Sequence, residues 1–492
     1  MRVSDFFELQ RNQSELDFVD IDTVNDIPVY IDPSSIRWLR DGWSEECTLM
    51  LTTFFDSVLD GIKGRDEKRT FYLLNHLREP NETHLGLSRG KSAGRALGPE
   101  LIEKLTKSLM DSKAAQSGLL EDLEDTSLFI PGVGKDIISD ITTNIIRGAL
   151  INYTQSICDF YSIPLDRVPS GAVWDPHNKE WEEGITSLPV SPYGKILLVP
   201  KIIVRMDLHL NIDEYYSHHL IPTLEQEELD NPASRMVQTL KNGKRKVLRG
   251  ELRKEFRKTK ANVTDFSLER PGVFQTYKEV KVKSHPTPLS HEQVELATGG
   301  ARPDFDQLLS AVLNTPKGSK HASEYHNNVE NLLSSLFYPE LSMPVKEKEI
   351  LEGRKRVDIC YANTSKRGFF HWLIAHKISC QYIYVECKNY SQDIENPELD
   401  QISSRFSPMR GRVGIITCRS FSNKSLFLKR CRDTALDGRG FVLLLDDGDL
   451  KEMVDDMKRS LLPIEEREEM EKDWQYPWDF PKLRQIYENL IL

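Results

Sequence analysis

Asp358 and Glu386 stand 28 residues apart, and Lys388 follows Glu386 by two. Two carboxylates supply hard oxygen ligands for a divalent cation such as Mg²⁺, which keeps several of its waters. The backbone carbonyl of Cys387, between Glu386 and Lys388, adds another oxygen. A lysine does what carboxylates do not: its ammonium holds a water and stabilises negative charge growing on a phosphorane. Together these residue types suit metal-assisted hydrolysis of a phosphodiester, with Mg²⁺ expected and Mn²⁺ as a substitute.

Such residues act only if secondary structure brings them together. Arg356 to Tyr361 reads as one strand and Gln381 to Lys388 as a second. Residues two apart on a strand share a face, so Glu386 and Lys388 point one way and Ile383, Val385 and Cys387 the other. Upstream, Tyr325, Val329, Leu332, Leu333 and Leu336 recur at helical spacing in Ala322 to Phe337. His326 and Glu330 lie four apart on one flank of that helix, and Glu330 is the acid expected to close the site, with Glu324 and His326 the other candidates. A turn is expected at Pro339 to Pro344. Downstream come a helix from Asn396 to Gln401, a strand from Arg412 to Cys418, a helix from Lys424 to Leu436 and a strand from Gly440 to Asp446.

This order and spacing resemble the PD-(D/E)XK phosphodiesterases, the restriction-endonuclease-like nucleases. The resemblance covers Glu324 to about Leu450, a quarter of the chain. It implies an α-β-β-β-α-β core, Asp358 and Glu386 as metal ligands, Lys388 as the catalytic lysine, and Gln401 in reach of the lysine or the phosphate. It implies DNA as substrate more often than RNA, and a homodimer where both strands are cut. Chains that join an unassigned first part to such a domain resemble defence or restriction factors, in which the first part senses and the second cuts.

The length suggests two or three domains. Pro/Gly/Ser punctuation from Ser284 to Lys320, around one short helical stretch, reads as a linker. The expected division is a mixed α/β region of unassigned fold over 1–283, a linker over 284–320, the nuclease-like domain over 321–460 and a helical tail over 461–492. In the first region Leu101 to Met110 and Ile137 to Tyr161 read as helices, and Lys195 to Arg205 as two buried strands bent at Pro200. Gly86 to Ser92 contains Gly-Lys-Ser, but three residues separate its glycines where a phosphate-binding loop of the Walker type needs four.

A net charge of -11 argues against a nucleic-acid partner only on average. Lys241 to Lys260 carries a local +8, and Arg405 to Arg439 a local +7. Lys244, Arg245 and Lys246 in the first run, and Arg405, Arg410 and Arg412 in the second, are the expected phosphate contacts. The bland alternative for the first run is a solvated helix face. Acids at Asp5, Glu8, Glu15 and Asp17 stand where an export signal needs a basic start and an apolar run, and seven scattered cysteines form no CxxC pair, so a reducing cytoplasm is expected. No stretch approaches the length of a membrane helix.

Two alternatives stand beside the nuclease. Asp358 and Glu386 could form an ion-paired edge with Arg354, Lys355, Arg356 and Lys388, giving a catalytically inactive nucleic-acid-binding or scaffolding protein on the same fold. A structural zinc from Cys360, His371, His376, Cys380 and Cys387 is also imaginable, but those spacings match no tetrahedral pattern.

Overall fold

The computed structural model describes residues 1–86, 98–350, 355–462 and 479–492, with the side chains of 347–350, 355 and 356 left aside. Most of the Gly86 to Ser92 stretch, Arg354 with the Lys355 and Arg356 side chains, and the tail over 463–478 lie outside the described residues.

Apolar side chains sort the described residues into two large cores and a small cluster of Val357, Cys360 and Tyr384. The larger gathers residues from Val3 to Val294 and takes in Tyr338; the second runs from Phe305 to Leu490. The first is mainly helical, and its small sheets are two-stranded. Ile137 to Tyr161 is two helices, Lys135–Ile145 and Arg147–Tyr161. The apolar run at 195–205 is not a strand pair. It is mostly buried irregular chain with a short turn of helix at Lys201–Ile203; Lys195 pairs with Val190, Pro200 forms a single bridge with Phe18, and Val204 and Arg205 pair with Ile31 and Tyr30. Its carbonyls and amides are met by distant partners instead, such as Val19 N to Val199 O at 3.0 Å.

The second core holds the candidate chemistry. It begins with α1 (Phe305–Asn314), inside the stretch expected as linker. Phe305, Leu308, Leu309 and Val312 follow helical spacing and pack in this core, so this helix belongs to the second unit. Then come α2 (Ala322–Phe337), β1 (Leu341–Ile350), β2 (Lys355–Asn363), α3 (Gly368–Ala375), β3 (Tyr382–Lys388), α4 (Asn396–Ser403), β4 (Val413–Cys418), α5 (Lys424–Leu436), β5 (Phe441–Leu445), α6 (Asp447–Ser460) and α7 (Pro481–Ile491). The five strands lie in the order β1-β2-β3-β4-β5. β1, β2 and β3 run antiparallel; β3, β4 and β5 run parallel, which their helical crossovers α4 and α5 require. In the expected turn at Pro339 to Pro344, strand β1 already starts at Leu341. The C-terminal helix α7 caps its own unit through Leu483, Ile486, Tyr487 and Leu490.

A polar seam joins the two units. Arg11 Nη1 lies 2.6 Å from the Glu330 carboxylate on α2, with its guanidinium 4.7 Å from the Tyr161 ring centre. Asp17 accepts from the Met343 backbone N–H and from the Tyr153 hydroxyl, both at 2.8 Å. Lys201, fully buried, donates to Ser14 O at 3.1 Å and lies 4.1 Å from the Tyr338 ring centre. Among the described residues, no helix is long and apolar enough to cross a membrane.

Candidate active site

The site forms where β2 and β3 part. Their antiparallel ladder runs from Ala362 opposite Tyr382 to Ile359 opposite Val385 and stops there. One residue further, the Asp358 side chain fills the gap: its Oδ2 accepts the Cys387 backbone N–H at 2.9 Å. That bond satisfies an amide the ladder no longer serves. The same oxygen lies 2.9 Å from His326 Nε2 on α2. Burial pushes the Asp358 carboxyl up, but His326, the Cys387 N–H and Lys388 outweigh it and hold the group below its ordinary value.

Glu386 is fully buried, as a carboxylate is only when compensated. Its Oε2 accepts from Lys388 Nζ at 3.0 Å, and its Oε1 is paired with the Arg405 guanidinium. Lys388 Nζ also donates to Gln401 Oε1 on α4 at 3.1 Å, so the glutamine expected near the lysine is there. Strand alternation arranges this cluster as expected. Glu386 and Lys388 share a face, while Cys387 turns to the opposite side and packs against the core that α2 covers. Both carboxylates border the same cations: Lys388 and Arg405 each contact Glu386 and each feel the charge of Asp358.

Two expected roles change. Glu330 does not face Asp358. It is fully buried, accepts from Ser334 Oγ at 2.8 Å and is held by Arg11, so its charge serves the seam between the units. His326, one turn earlier on the same flank, takes the position facing Asp358. Arg405 is not a surface phosphate contact. It is buried beside Glu386, and burial lowers its pKa despite Asp358. Arg410 and Arg412 are half-buried; Arg410 lies beside Tyr384, and the Arg412 backbone is tied to Ser379 and Phe441. Only Lys244, Arg245 and Lys246 of the expected contacts stand fully exposed, on a hairpin of Val237–Thr239 and Arg245–Val247. Their run is thus a hairpin leading into a short helix, Arg249–Glu255, and not one helix.

Sequence reasoning passed over Arg419. It is buried, donates to Leu313 O at 2.9 Å, Asn389 Oδ1 at 3.1 Å and Asp447 at 3.1 Å, and lies 5.1 Å from the Tyr325 ring centre. Asn389 in turn donates to Pro316 O and Gly318 O, which fastens the end of β3 to the segment leading into α2. The Arg-Ser-Phe-Ser context of Arg419 carries no signal for that role.

The metal-capable group found among the described residues is His326, Asp358 and Cys387, whose ligand atoms lie within 4.8 Å of one another. It contains neither Glu386 nor any of the five Cys/His candidates for a structural zinc except Cys387.

Comparison with known proteins bears on the first unit. Residues 8–211 match a family described as a domain of unknown function (DUF8370). That match ends well before the site. No curated protein and no solved structure matches the chain.

Proposed function

We propose that the second unit is a metal-dependent nuclease of the restriction-endonuclease-like kind that hydrolyses phosphodiester bonds, DNA being the favoured substrate. The observation that carries this reading is that Lys388 bonds both Glu386 and Gln401 and also feels the charge of Asp358, which holds the Cys387 N–H at the parting of β2 and β3. The donor set fits a hard divalent cation: an ionised Asp358, a Glu386 now compensated by two side-chain cations, and the Cys387 carbonyl. When bound, Mg²⁺ or Mn²⁺ would supply Lewis-acid stabilisation and an activated water. Lys388 holds that water or the phosphate, and Gln401 orients the lysine. Arg405 sets the charge of Glu386. The seven cysteines are free thiols, in keeping with a reducing cytoplasm. A homodimer goes with cutting duplex DNA. A role in defence or restriction rests on analogy of architecture.

The test is cleavage of supercoiled plasmid, linear duplex, single-stranded DNA and RNA with Mg²⁺ or Mn²⁺, for the native chain and for Asp358→Ala and Lys388→Ala. Cleavage lost in both variants supports the reading and names the substrate. Binding without cleavage of any substrate sinks it in favour of an inactive nucleic-acid-binding module on the same fold.

A further inference from the structure

β3 carries two chemistries on its two sides. Glu386 and Lys388 share one face; the Cys387 thiol lies on the other, towards α2, where His326 meets Asp358. Asp358 is the group common to both sides, because it sits where the strands part.

The side facing α2 has the ligand types of a borderline transition metal: an imidazole, a carboxylate and a thiol. Ligand atoms around tetrahedral Zn²⁺, bound at about 2.0–2.3 Å, stand roughly 3.3–3.7 Å from one another. His326 Nε2 and Asp358 Oδ2 already stand 2.9 Å apart, and all three ligand atoms lie within 4.8 Å. The His326 ring nitrogen and the Asp358 carboxylate face each other directly at the place where such an ion would put its charge. All three residues are half-buried, and the His326 Nε2 atom is itself shielded from solvent. They come from α2, β2 and β3, so the site exists only in the folded unit.

We infer that His326, Asp358 and the Cys387 thiol bind a zinc-class transition metal, and that this ion competes for Asp358 with the hard cation on the Glu386 side. On binding, the thiol gives its proton to solvent and its sulfur forms a bond to the metal, as does each of the other two ligand atoms. Mg²⁺ prefers oxygen donors and does not use such a thiol–imidazole set. The identity of the available cation therefore decides whether Asp358 serves the phosphodiesterase side. The competition rests on the nuclease reading; the binding does not.

The experiment titrates the full chain with Co²⁺ in place of Zn²⁺ and follows the visible d–d bands and the near-ultraviolet thiolate-to-cobalt band. A thiolate band that Zn²⁺ abolishes is expected, with binding weakened about 10- to 100-fold in His326→Ala. The thiolate band should vanish in Cys387→Ser and persist in Lys388→Ala. Circular dichroism and thermal melting of each variant report on folding. A native chain with no thiolate band, or a band that survives Cys387→Ser, overturns the inference. In a second arm, each protein's cleavage with Mg²⁺ is compared with and without micromolar Zn²⁺. The native chain should lose cleavage on zinc addition, and the ratio for Cys387→Ser should stay near unity. A native ratio unchanged by zinc that has been shown to bind overturns the competition. If no protein cleaves with any cation, the nuclease reading fails while the cobalt arm still decides the metal site.

Discussion

Replacing Arg11 tests how the first unit holds the helix that faces the site. Arg11 and Glu330 are an almost fully desolvated pair 2.6 Å apart, with side-chain exposures of 9% and 0%. At an effective dielectric constant of 20, their attraction is about 6 kcal/mol. The cost of burying the two charges is of similar size, so the pair as a whole adds little net stability. Removing one partner is different. In Arg11→Met, Glu330 keeps only the Ser334 hydroxyl as a hydrogen-bond partner and stays buried in a protein interior. The expected loss is about 3–5 kcal/mol. Burial on its own would lower the Arg11 pKa, and its rise above the usual arginine value through Glu330, Tyr161 and Glu15 reflects the same mutual dependence.

The assay is a double-mutant cycle of Arg11→Met, Glu330→Met and both together, read by thermal melting. For units of roughly this size 1 kcal/mol moves the midpoint by about 2–4 °C, so the Arg11→Met midpoint should fall by roughly 6–20 °C. The double variant should recover most of that, because two methionines leave no uncompensated charge. An unchanged midpoint in Arg11→Met, or a double variant no more stable than the worse single one, would refute the argument.

Two further outcomes follow from charges elsewhere. Lys241, Lys244, Lys246 and Arg257 are exposed and have no ion pair among the described residues; changing all four to Glu should weaken nucleic-acid binding and flatten its log–log salt slope by up to about 4 units. Unchanged binding and slope would make the hairpin an ordinary solvated surface. Asp140 is pushed from 3.8 up to about 9, first by burial and then by Asp136, Glu79 and Asp26. Its folded-state pKa is raised, so its contribution is fully present below pH about 4 and lost as pH climbs towards about 9. Melting midpoints of the native chain should therefore fall from pH 6 to pH 9 relative to Asp140→Asn, and parallel pH profiles would contradict that.

What could be read from the sequence follows from how local each signal is. Strands β2 to β5 and helices α2 and α5 announce themselves by period, and the pairing of Glu386 with Lys388 on one face needs only alternation. β1 was hidden because Pro344 ends the expected turn and the charged Lys346, Glu347, Lys348 and Glu349 that follow show no apolar alternation. They suit a strand that pairs with β2 alone and forms an edge of the sheet, where Pro and charge are tolerated. α1 was legible as a short helical stretch, but the Pro and Gly residues around it made it look like linker, although its apolar face packs in the second core. His326 against Glu330 could not be ordered from spacing. Both occupy one flank of α2, and the choice between them is made by Arg11, more than 300 residues away in sequence.

That choice gives α2 two ends with different duties. One turn of helix separates the residue that meets Asp358 from the residue clamped by Arg11, and Ser334 one turn further on links Glu330 to the Tyr361 hydroxyl on β2 at 2.9 Å. A buried helix carries displacement along its axis because packed interiors yield little. A shift of the seam would therefore reach His326 and, through Tyr361, the strand that bears Asp358. Arg11, Asp17, Tyr153, Tyr161 and Lys201 all fall within the matched residues 8–211. The surface that this domain presents to the second unit is thus the one that holds the site's helix in place, and the folding of the first unit is a condition for the geometry of the second.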